Sequence, residues 1–215
     1  MKKLLIKDFR LAMHPTVFLF WLLSAMLIIP NYPYYVVLFY SALSLFFVCL
    51  TGRENKDIEF SLVLPVRKGD AVRARICFAV TVQLVQLIIA VPFAALRQTF
   101  PMGGNQVGMD ANIAFFGLAL LLLGLFNFQF FTGYYRAPEK VGKTFALSGV
   151  LFFVAIAVLE TLTHVLPFFR LRLDTPDPHF LIEKLIVLFI GAALYTLLTL
   201  IACRIAVKRF EGLDM

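Results

Sequence analysis

The sequence predicts an all-α membrane protein that crosses the bilayer six times, with an N-terminal interfacial helix and a short helix between its second and third spans. Of its 215 residues, 61% are hydrophobic and only 15% are charged, whereas soluble domains carry about 25% charged residues. The apolar residues fall into six runs that charged clusters and Pro, Gly or Asn residues separate. A spanning helix needs about 20 residues, so we expect no large soluble catalytic unit within this sequence.

The six runs define the predicted spans of a single transmembrane domain, residues 1–215. The spans lie at about 17–30, 34–50, 76–96, 113–131, 144–166 and 181–205. The first run is the shortest, because a helix from Val17 to Ile29 rises only about 20 Å, against a hydrocarbon core of about 30 Å. It reaches a spanning length if it extends back through Pro15 to Leu11, since proline is tolerated in a first helical turn.

The residues before the first run form an amphipathic pattern. Leu5, Phe9 and Met13 recur at four-residue spacing, and basic residues occupy another side. This pattern is typical of a helix that lies in the membrane interface with its basic side toward the headgroups. The alternative is a plain cytoplasmic extension of the first span.

The basic residues predict the orientation of the chain. The net charge is +7, and sixteen of the 20 Lys and Arg residues fall in segments on one side of the predicted membrane. The four on the other side are Arg97, Arg170, Arg172 and Lys184. By the positive-inside rule, both termini are expected in the cytoplasm, in a multi-pass protein of a bacterial plasma membrane. The charge is therefore attributed to topology in a lipid bilayer, and no nucleic-acid partner is expected.

The segment between the second and third spans, residues 51–75, is longer than a turn requires. Its mixed charge, four acidic and six basic residues, favours a protein partner, since a lipid-binding segment would be more uniformly basic. The apolar stretch Ile58–Leu64 ends at Pro65, which stops a helix, and Asp70 can cap the next one. We therefore predict a short amphipathic helix at the inner membrane surface.

The order of residues in this segment supplies a family resemblance. Glu54 follows the second span, an apolar stretch ends in Leu64 and Pro65, and Arg67 and Lys68 precede the helix that re-enters the membrane. This order resembles the ABC exporter permeases of the type-2 class, and among them the small six-span permeases similar to the bacitracin and phenol-soluble modulin exporters. The family's Leu-Pro-Val-Ser pattern reads Leu-Pro-Val-Arg here.

The resemblance implies an ATP-driven exporter of an amphipathic or hydrophobic substrate, such as a peptide. In this family the segment forms a coupling helix that sits in a cleft of a separate ATPase subunit, and two permeases, identical or different, assemble above two ATPases. The residues that would contact the ATPase are Glu54, Asp57, Ile58, Phe60, Leu64, Pro65, Arg67 and Lys68. The second coupling loop, between spans four and five, would contribute Arg136, Glu139 and Lys140.

The resemblance also implies that the chain is not itself an enzyme. ATP and Mg²⁺ would be held by the partner ATPase, and no catalytic residue, metal or cofactor is expected here. Gly142, Lys143 and Thr144 end like a phosphate-binding loop, but Ala137 stands where its first glycine would be, and no strand precedes it.

Five polar residues inside the predicted spans are candidates for a substrate path. They are Gln83, Gln86, Asn127, Gln129 and Glu160. For the four neutral side chains, the alternative is hydrogen bonding between helices. A carboxylate is costly inside a membrane, so Glu160 is a functional candidate by default.

Glu160 has three possible roles: relaying protons or holding a metal with His164, lining a polar path, or pairing with Arg170 or Arg172 at the outer interface. Two rival functions depend on it. One is an ATP-independent, ion-coupled transporter, and the other is an intramembrane enzyme that uses Glu160 and His164. The spans hold no clustered nucleophile, metal-ligand set or carboxylate pair, which argues against an enzyme. The long 51–75 segment argues against the ion-coupled carrier, which would not need it.

Overall fold

The computed structural model describes residues 2–63, 66–99, 104–175 and 178–213. The described residues are all-helical, with 85% helix and no strand. Five of the described helices are long and apolar enough to cross a membrane, or six if a bent N-terminal pair counts as one span. The prediction of an all-α polytopic membrane protein is confirmed.

Eight α-helices make up most of the described chain. They are α1 (Lys2–Lys7), α2 (Thr16–Leu22), α3 (Tyr35–Glu54), α4 (Asp57–Val63), α5 (Lys68–Thr99), α6 (Ile113–Tyr134), α7 (Val141–Val165) and α8 (Leu181–Glu211). A π-helical segment, Asp8–Ala12, continues α1, and a 3-10 segment, Leu23–Ile28, continues α2. Three shorter turns lie at Pro138–Lys140, Phe169–Leu173 and Pro178–Phe180.

The N-terminal region is broken where the sequence allowed one continuous helix. The segments Lys3–Ala12 and Thr16–Ile28 meet at an angle of 83°, so the extension of the first span back to Leu11 is not formed. Pro15 lies at the break; it lacks a backbone N–H and disfavours a helical residue before it. The segment that remains for the predicted first span has only seven α-helical residues followed by six 3-10 residues.

The N-terminal helix is a separate element, as expected, but its apolar side packs against protein. Leu4 is 6% exposed. The Phe9 ring meets the Phe78 ring of α5 edge-on, with 4.9 Å between centroids. This packing makes α1 and its π-helical continuation part of the helical bundle.

Helix α5 begins at Lys68, two residues before the predicted cap at Asp70 and eight residues before the predicted third span, which starts at Ile76. Helix α3 continues to Glu54, beyond the predicted end at residue 50. The expected loop of residues 51–75 is therefore reduced to residues 55–67, and α4 fills most of it. Arg75, which precedes the predicted third span, lies inside α5.

The core centres on α6 and α8, which cross at two glycines. A Cβ on Gly191 would overlap the carbonyl oxygen of Gly117, and a Cβ on Gly117 would lie 2.6 Å from the carbonyl oxygen of Val187. Small residues let helix backbones approach this closely in a membrane. The outward faces of α7 and α8 carry exposed apolar side chains, such as Val154 and Phe189, as expected for helices that face lipid.

Candidate functional site

Several of the bases that the sequence assigns to one side, among them Arg53 and Lys68, make contacts at one end of the bundle, which we call the basic end. Contacts join its parts: Arg53 Nη1 at the end of α3 donates to the Glu139 carbonyl oxygen at 3.2 Å. Lys68 Nζ at the start of α5 donates to the Leu213 carbonyl oxygen after α8 at 2.7 Å. Both predicted coupling segments therefore lie at the same end of the molecule.

Helix α4 is fastened to the basic end by its inward face. Asp57 and Ser61 lie one helical turn apart, and Lys7 Nζ donates to Asp57 Oδ1 and to Ser61 Oγ, each at 2.7 Å. Ser61 Oγ in turn donates to the Asp57 carbonyl oxygen at 2.7 Å. The inward face of α4 is thus tied to the last residue of α1.

Arg75 is the centre of the charged cluster behind α4. Its Nε and Nη2 atoms donate to the two carboxylate oxygens of Asp8, each at 3.2 Å, and Nη2 also donates to Asp57 Oδ2. Asp8 is 2% exposed and Arg75 is 7% exposed, so their charges depend on each other. The space around the cluster is about 20 Å³, room for about one water molecule. We call Lys7, Asp8, Asp57 and Arg75 the charge cluster.

The charge cluster changes the role expected for Asp57. Burial alone would raise the pKa of its carboxyl, but Arg75 and Lys7 outweigh burial and hold that pKa below its usual value. Asp57 is therefore ionised at neutral pH. Since its oxygens are taken by Lys7 and Arg75 inside the protein, Asp57 fixes α4 in place and is poorly placed as the ATPase contact that the resemblance implied.

The outward face of α4 presents an apolar surface framed by charges. Phe60 is 58% exposed and Val63 is 85% exposed. Glu59 stands exposed beside them, with its carboxylate 3.5 Å from Lys56 Nζ. Large exposed apolar side chains rimmed by charges are typical of protein interaction sites. We call Phe60 and Val63 with their charged neighbours Lys56 and Glu59 the α4 surface.

A depression lies next to the α4 surface. It has a volume of about 150 Å³ and is lined by residues of α3, α4, the turn between them and the π-helical segment, including Leu11, Thr51, Asn55 and Phe60. The α4 surface therefore offers both a protruding apolar side chain and a recess beside it.

The other residues predicted to contact an ATPase are spread over the basic end. Glu54, Arg67, Arg136, Glu139 and Lys140 are exposed, and Ile58 is half-buried. Lys68 is partly buried and donates to Leu213, and the turn at Pro138–Lys140 carries the second coupling loop. Leu64 and Pro65 lie outside the described residues. Sequence reasoning missed Val63, although it lies inside the apolar stretch that predicted the helix.

Two of the polar residues proposed for a substrate path hydrogen-bond to each other. Gln83 Nε2 donates to Asn127 Oδ1 at 2.7 Å, and Asn127 Nδ2 donates to Gln83 Oε1 at 2.9 Å. Tyr195 OH donates to Gln83 Oε1 at 2.8 Å, and Asn127 Nδ2 also donates to Thr199 Oγ1 at 3.1 Å. These bonds join α5, α6 and α8, so the alternative of interhelical hydrogen bonding is confirmed for this pair.

Gln86 and Gln129 have different surroundings. Gln86 is buried and its Nε2 donates to the Val37 carbonyl oxygen at 2.9 Å, while its Oε1 is buried with no hydrogen-bond partner among the described residues. Gln129 is partly exposed on α6. Gln86 therefore links α5 to α3 and adds a second polar tie between spans.

Glu160 lies near the other end of the bundle and holds a loop. Its Oε2 accepts from the Met109 backbone N–H at 3.1 Å, and a Cβ on Gly108 would overlap its carboxylate. The predicted pairing with Arg170 or Arg172 is not formed. Arg172 Nη1 instead lies 3.9 Å from Glu183.

The same loop is fixed at further points. His164 Nε2 lies 3.3 Å from the Val107 carbonyl oxygen, and Asp174 Oδ1 accepts from the Asp110 N–H at 2.8 Å. Burial is the main cause that raises the pKa of Asp174 to about 6, and the charge of Asp110 adds to it. Among the described residues, no group of three or more His, Cys, Asp and Glu side chains could hold a metal. Glu160 and His164 both contact backbone groups of residues 104–112 and so hold this loop against α7.

The comparisons with known proteins give one result. A family model described as ABC-2 family transporter protein matches residues 3–211. No curated protein and no solved structure matches the sequence.

Proposed function

The chain belongs to the ABC-2 family of transporter proteins, and from this premise we propose that it is the membrane permease subunit of an ATP-driven exporter whose ATPase docks on the α4 surface. ABC-2 permeases are transport subunits that work with a separate ABC ATPase. ATP and Mg²⁺ would be bound by that partner. The family places the protein among multi-pass membrane transporters and does not single out the bacitracin or phenol-soluble modulin exporters.

The observation that carries the docking proposal is the way α4 is held. A seven-residue helix is marginal in isolation. Here the charge cluster and Ser61 fix its inward face, while Phe60 and Val63 point away from the protein with more than half of each side chain exposed. Exposed apolar side chains on a helix that is already fixed lose little conformational entropy on binding. This is a property of interface hot spots.

We propose that the basic end is cytoplasmic and that both termini lie there. The sixteen-to-four division of Lys and Arg supports this orientation under the positive-inside rule. The ATPase would then approach the face that carries α4 and the turn at Pro138–Lys140. These two elements are joined through Arg53 and the Glu139 carbonyl oxygen.

We further propose that the permease acts with a second permease copy, identical or different, in the plasma membrane of a bacterium. Its substrate would be amphipathic or hydrophobic, such as a peptide. The support for such a substrate is the apolar character of the spans. Substrate export by the pair would follow ATP-driven movement of the α4 surface.

The test is complex formation with an ABC ATPase from the source organism. The chain is co-expressed with each candidate ATPase and purified in detergent through a tag on the permease. We expect one ATPase to copurify in stoichiometric amount and its ATPase activity to depend on the permease. The double variant Phe60→Ala with Val63→Ala should weaken the complex at least tenfold, since full burial of one large apolar side chain is worth about 1.5–3 kcal/mol.

The matched control is Phe168→Ala, which removes a side chain that is 47% exposed near the other end of the bundle. This variant should bind the ATPase as the unchanged chain does. Failure of every ATPase to copurify with the unchanged chain, or equal binding by the double variant, would refute docking on the α4 surface.

A further inference from the structure

Docking of an ATPase on the α4 surface does not by itself explain why charged side chains are buried behind α4. Its members come from three elements: Lys7 and Asp8 from the N-terminal helix, Asp57 from α4 and Arg75 from α5. A buried ion pair stabilises a fold no better than well-packed apolar side chains of similar volume. Stability alone therefore does not account for the charges at this position.

The geometry of Arg75 suits transmission of a movement from α4 to α5. Its guanidinium contacts two carboxylates on two different elements, Asp8 and Asp57. The planar fork fixes direction as well as distance, which a lysine ammonium would not do. Because α5 continues without a break from Lys68 to Thr99, a displacement at Arg75 is carried into a spanning helix.

The N-terminal helix shares the same connection. Lys7 bonds to both Asp57 and Ser61 of α4, and Phe9 packs on Phe78 of α5. A movement of α4 relative to α5 would therefore also displace the N-terminal helix. The N-terminal helix, α4 and the start of α5 are therefore linked by direct contacts at the basic end.

We propose that Arg75 is a positioning residue that couples α4 to α5 and the N-terminal helix, so that movement of a docked ATPase reaches the spans through its guanidinium. This inference rests on the proposed docking of an ATPase on the α4 surface. It assigns to Arg75 no contact with ATP, the ATPase or the substrate.

The test compares Arg75→Gln with Arg73→Gln in the full chain co-expressed with its ATPase. Arg73 is a matched control because it lies on the same helix and is exposed. Its one ion-pair partner among the described residues is Asp70, three residues away. Two quantities are measured in reconstituted vesicles: the affinity of the ATPase for the permease, and the permease-dependent part of ATP turnover. Because Arg75 helps to hold α4, Arg75→Gln is expected to weaken ATPase binding. With the ATPase at saturating concentration, its permease-dependent turnover should still fall by about tenfold or more. Arg73→Gln should leave both quantities unchanged.

A labelling measurement reports on α4 directly. Ser61 is 4% exposed, so a Ser61→Cys chain, with Cys49, Cys77 and Cys203 replaced by Ala, should react slowly with a maleimide. Adding Arg75→Gln should raise the labelling rate at least tenfold while the complex still forms. An unchanged labelling rate together with unchanged stimulation would overturn the proposal.

A second variant keeps the proposal testable if Arg75→Gln does not insert. The double variant Asp8→Leu with Arg75→Met removes both buried charges together and should fold. Loss of stimulation with the complex retained supports the coupling role. Full stimulation overturns it, and so does a fold that fails in the double variant too, because the cluster would then be purely structural. If the unchanged chain binds no ATPase, the proposed docking fails, which this comparison distinguishes from failure of the Arg75 role.

Discussion

Replacing Asn127 by Leu should destabilise the bundle without closing a transport path. Asn127 makes two hydrogen bonds with Gln83 and a third with Thr199. Both Asn127 and Gln83 are fully buried. Interhelical hydrogen bonds in membranes are worth about 0.6 kcal/mol on average, so three of them give a loss of about 2 kcal/mol in the free energy of unfolding.

The assay is unfolding in detergent mixed with increasing SDS, followed by the fluorescence of the single tryptophan. That tryptophan, Trp21, is a suitable probe because its indole N–H donates to the Val82 carbonyl oxygen of α5 at 3.1 Å. The matched control is Gln129→Leu on the same helix, for a partly exposed side chain. It should change the free energy of unfolding by less than about 0.5 kcal/mol.

Transport per folded molecule separates the two interpretations of this residue. If Asn127 serves only to join the helices, the Leu variant should transport within about twofold of the unchanged chain under conditions where it stays folded. A stability change below about 0.5 kcal/mol would refute the hydrogen-bond argument. Lost transport at unchanged stability would establish the substrate-path interpretation instead.

Three further predictions concern other parts of the bundle. Glu160→Gln keeps an oxygen that can accept from the Met109 N–H, so transport driven by ATP should remain largely intact; abolished transport with normal membrane insertion would favour the ion-coupled rival. Because the pKa of Asp174 is raised to about 6 from its ordinary 3.8, the folded protein takes up this proton more readily than the unfolded one. Stability should therefore fall as pH rises through the window between these two values, and Asp174→Asn should flatten the dependence of melting temperature on pH; an equal slope in both chains would contradict this. Gly191→Leu would force α8 away from the Gly117 carbonyl oxygen and should lower the yield of folded protein severely, whereas Ala192→Leu, on the neighbouring position, should be tolerated better in size-exclusion chromatography.

Long apolar runs were the part of the fold most open to sequence reasoning. The runs predicted at 113–131 and 181–205 fall within α6 and α8, because twenty consecutive apolar residues leave few alternatives to a spanning helix. The structure of the N-terminal run is harder to predict from the sequence. Its thirteen residues, Val17–Ile29, can be extended back through Pro15 or end there. The structure has the break at Pro15, together with long-range packing of Phe9 on Phe78 that hydropathy does not reveal.

Some features of the site are also predictable from the sequence, and others depend on contacts between distant residues. The sequence predicted a short amphipathic helix between the second and third spans, and α4 forms there. It did not predict which charges face inward, because Arg75 lies 67 residues from Asp8 and hydropathy treats both as loop charges. Asp57 was consequently assigned to a partner. Likewise, the sequence allows Glu160 to pair with Arg170 or Arg172, because its bond to the Met109 backbone N–H leaves no trace in residue composition.

Photo-cross-linking from the α4 surface tests the central proposal most directly. A photoreactive phenylalanine analogue is placed at Phe60 in one chain and at Phe168 in another, and each is co-expressed with the ATPase that copurifies. The account predicts a permease–ATPase adduct from position 60, with cross-linked peptides in a surface cleft of the ATPase, and none from position 168. Adducts from position 168 and none from position 60 would contradict it.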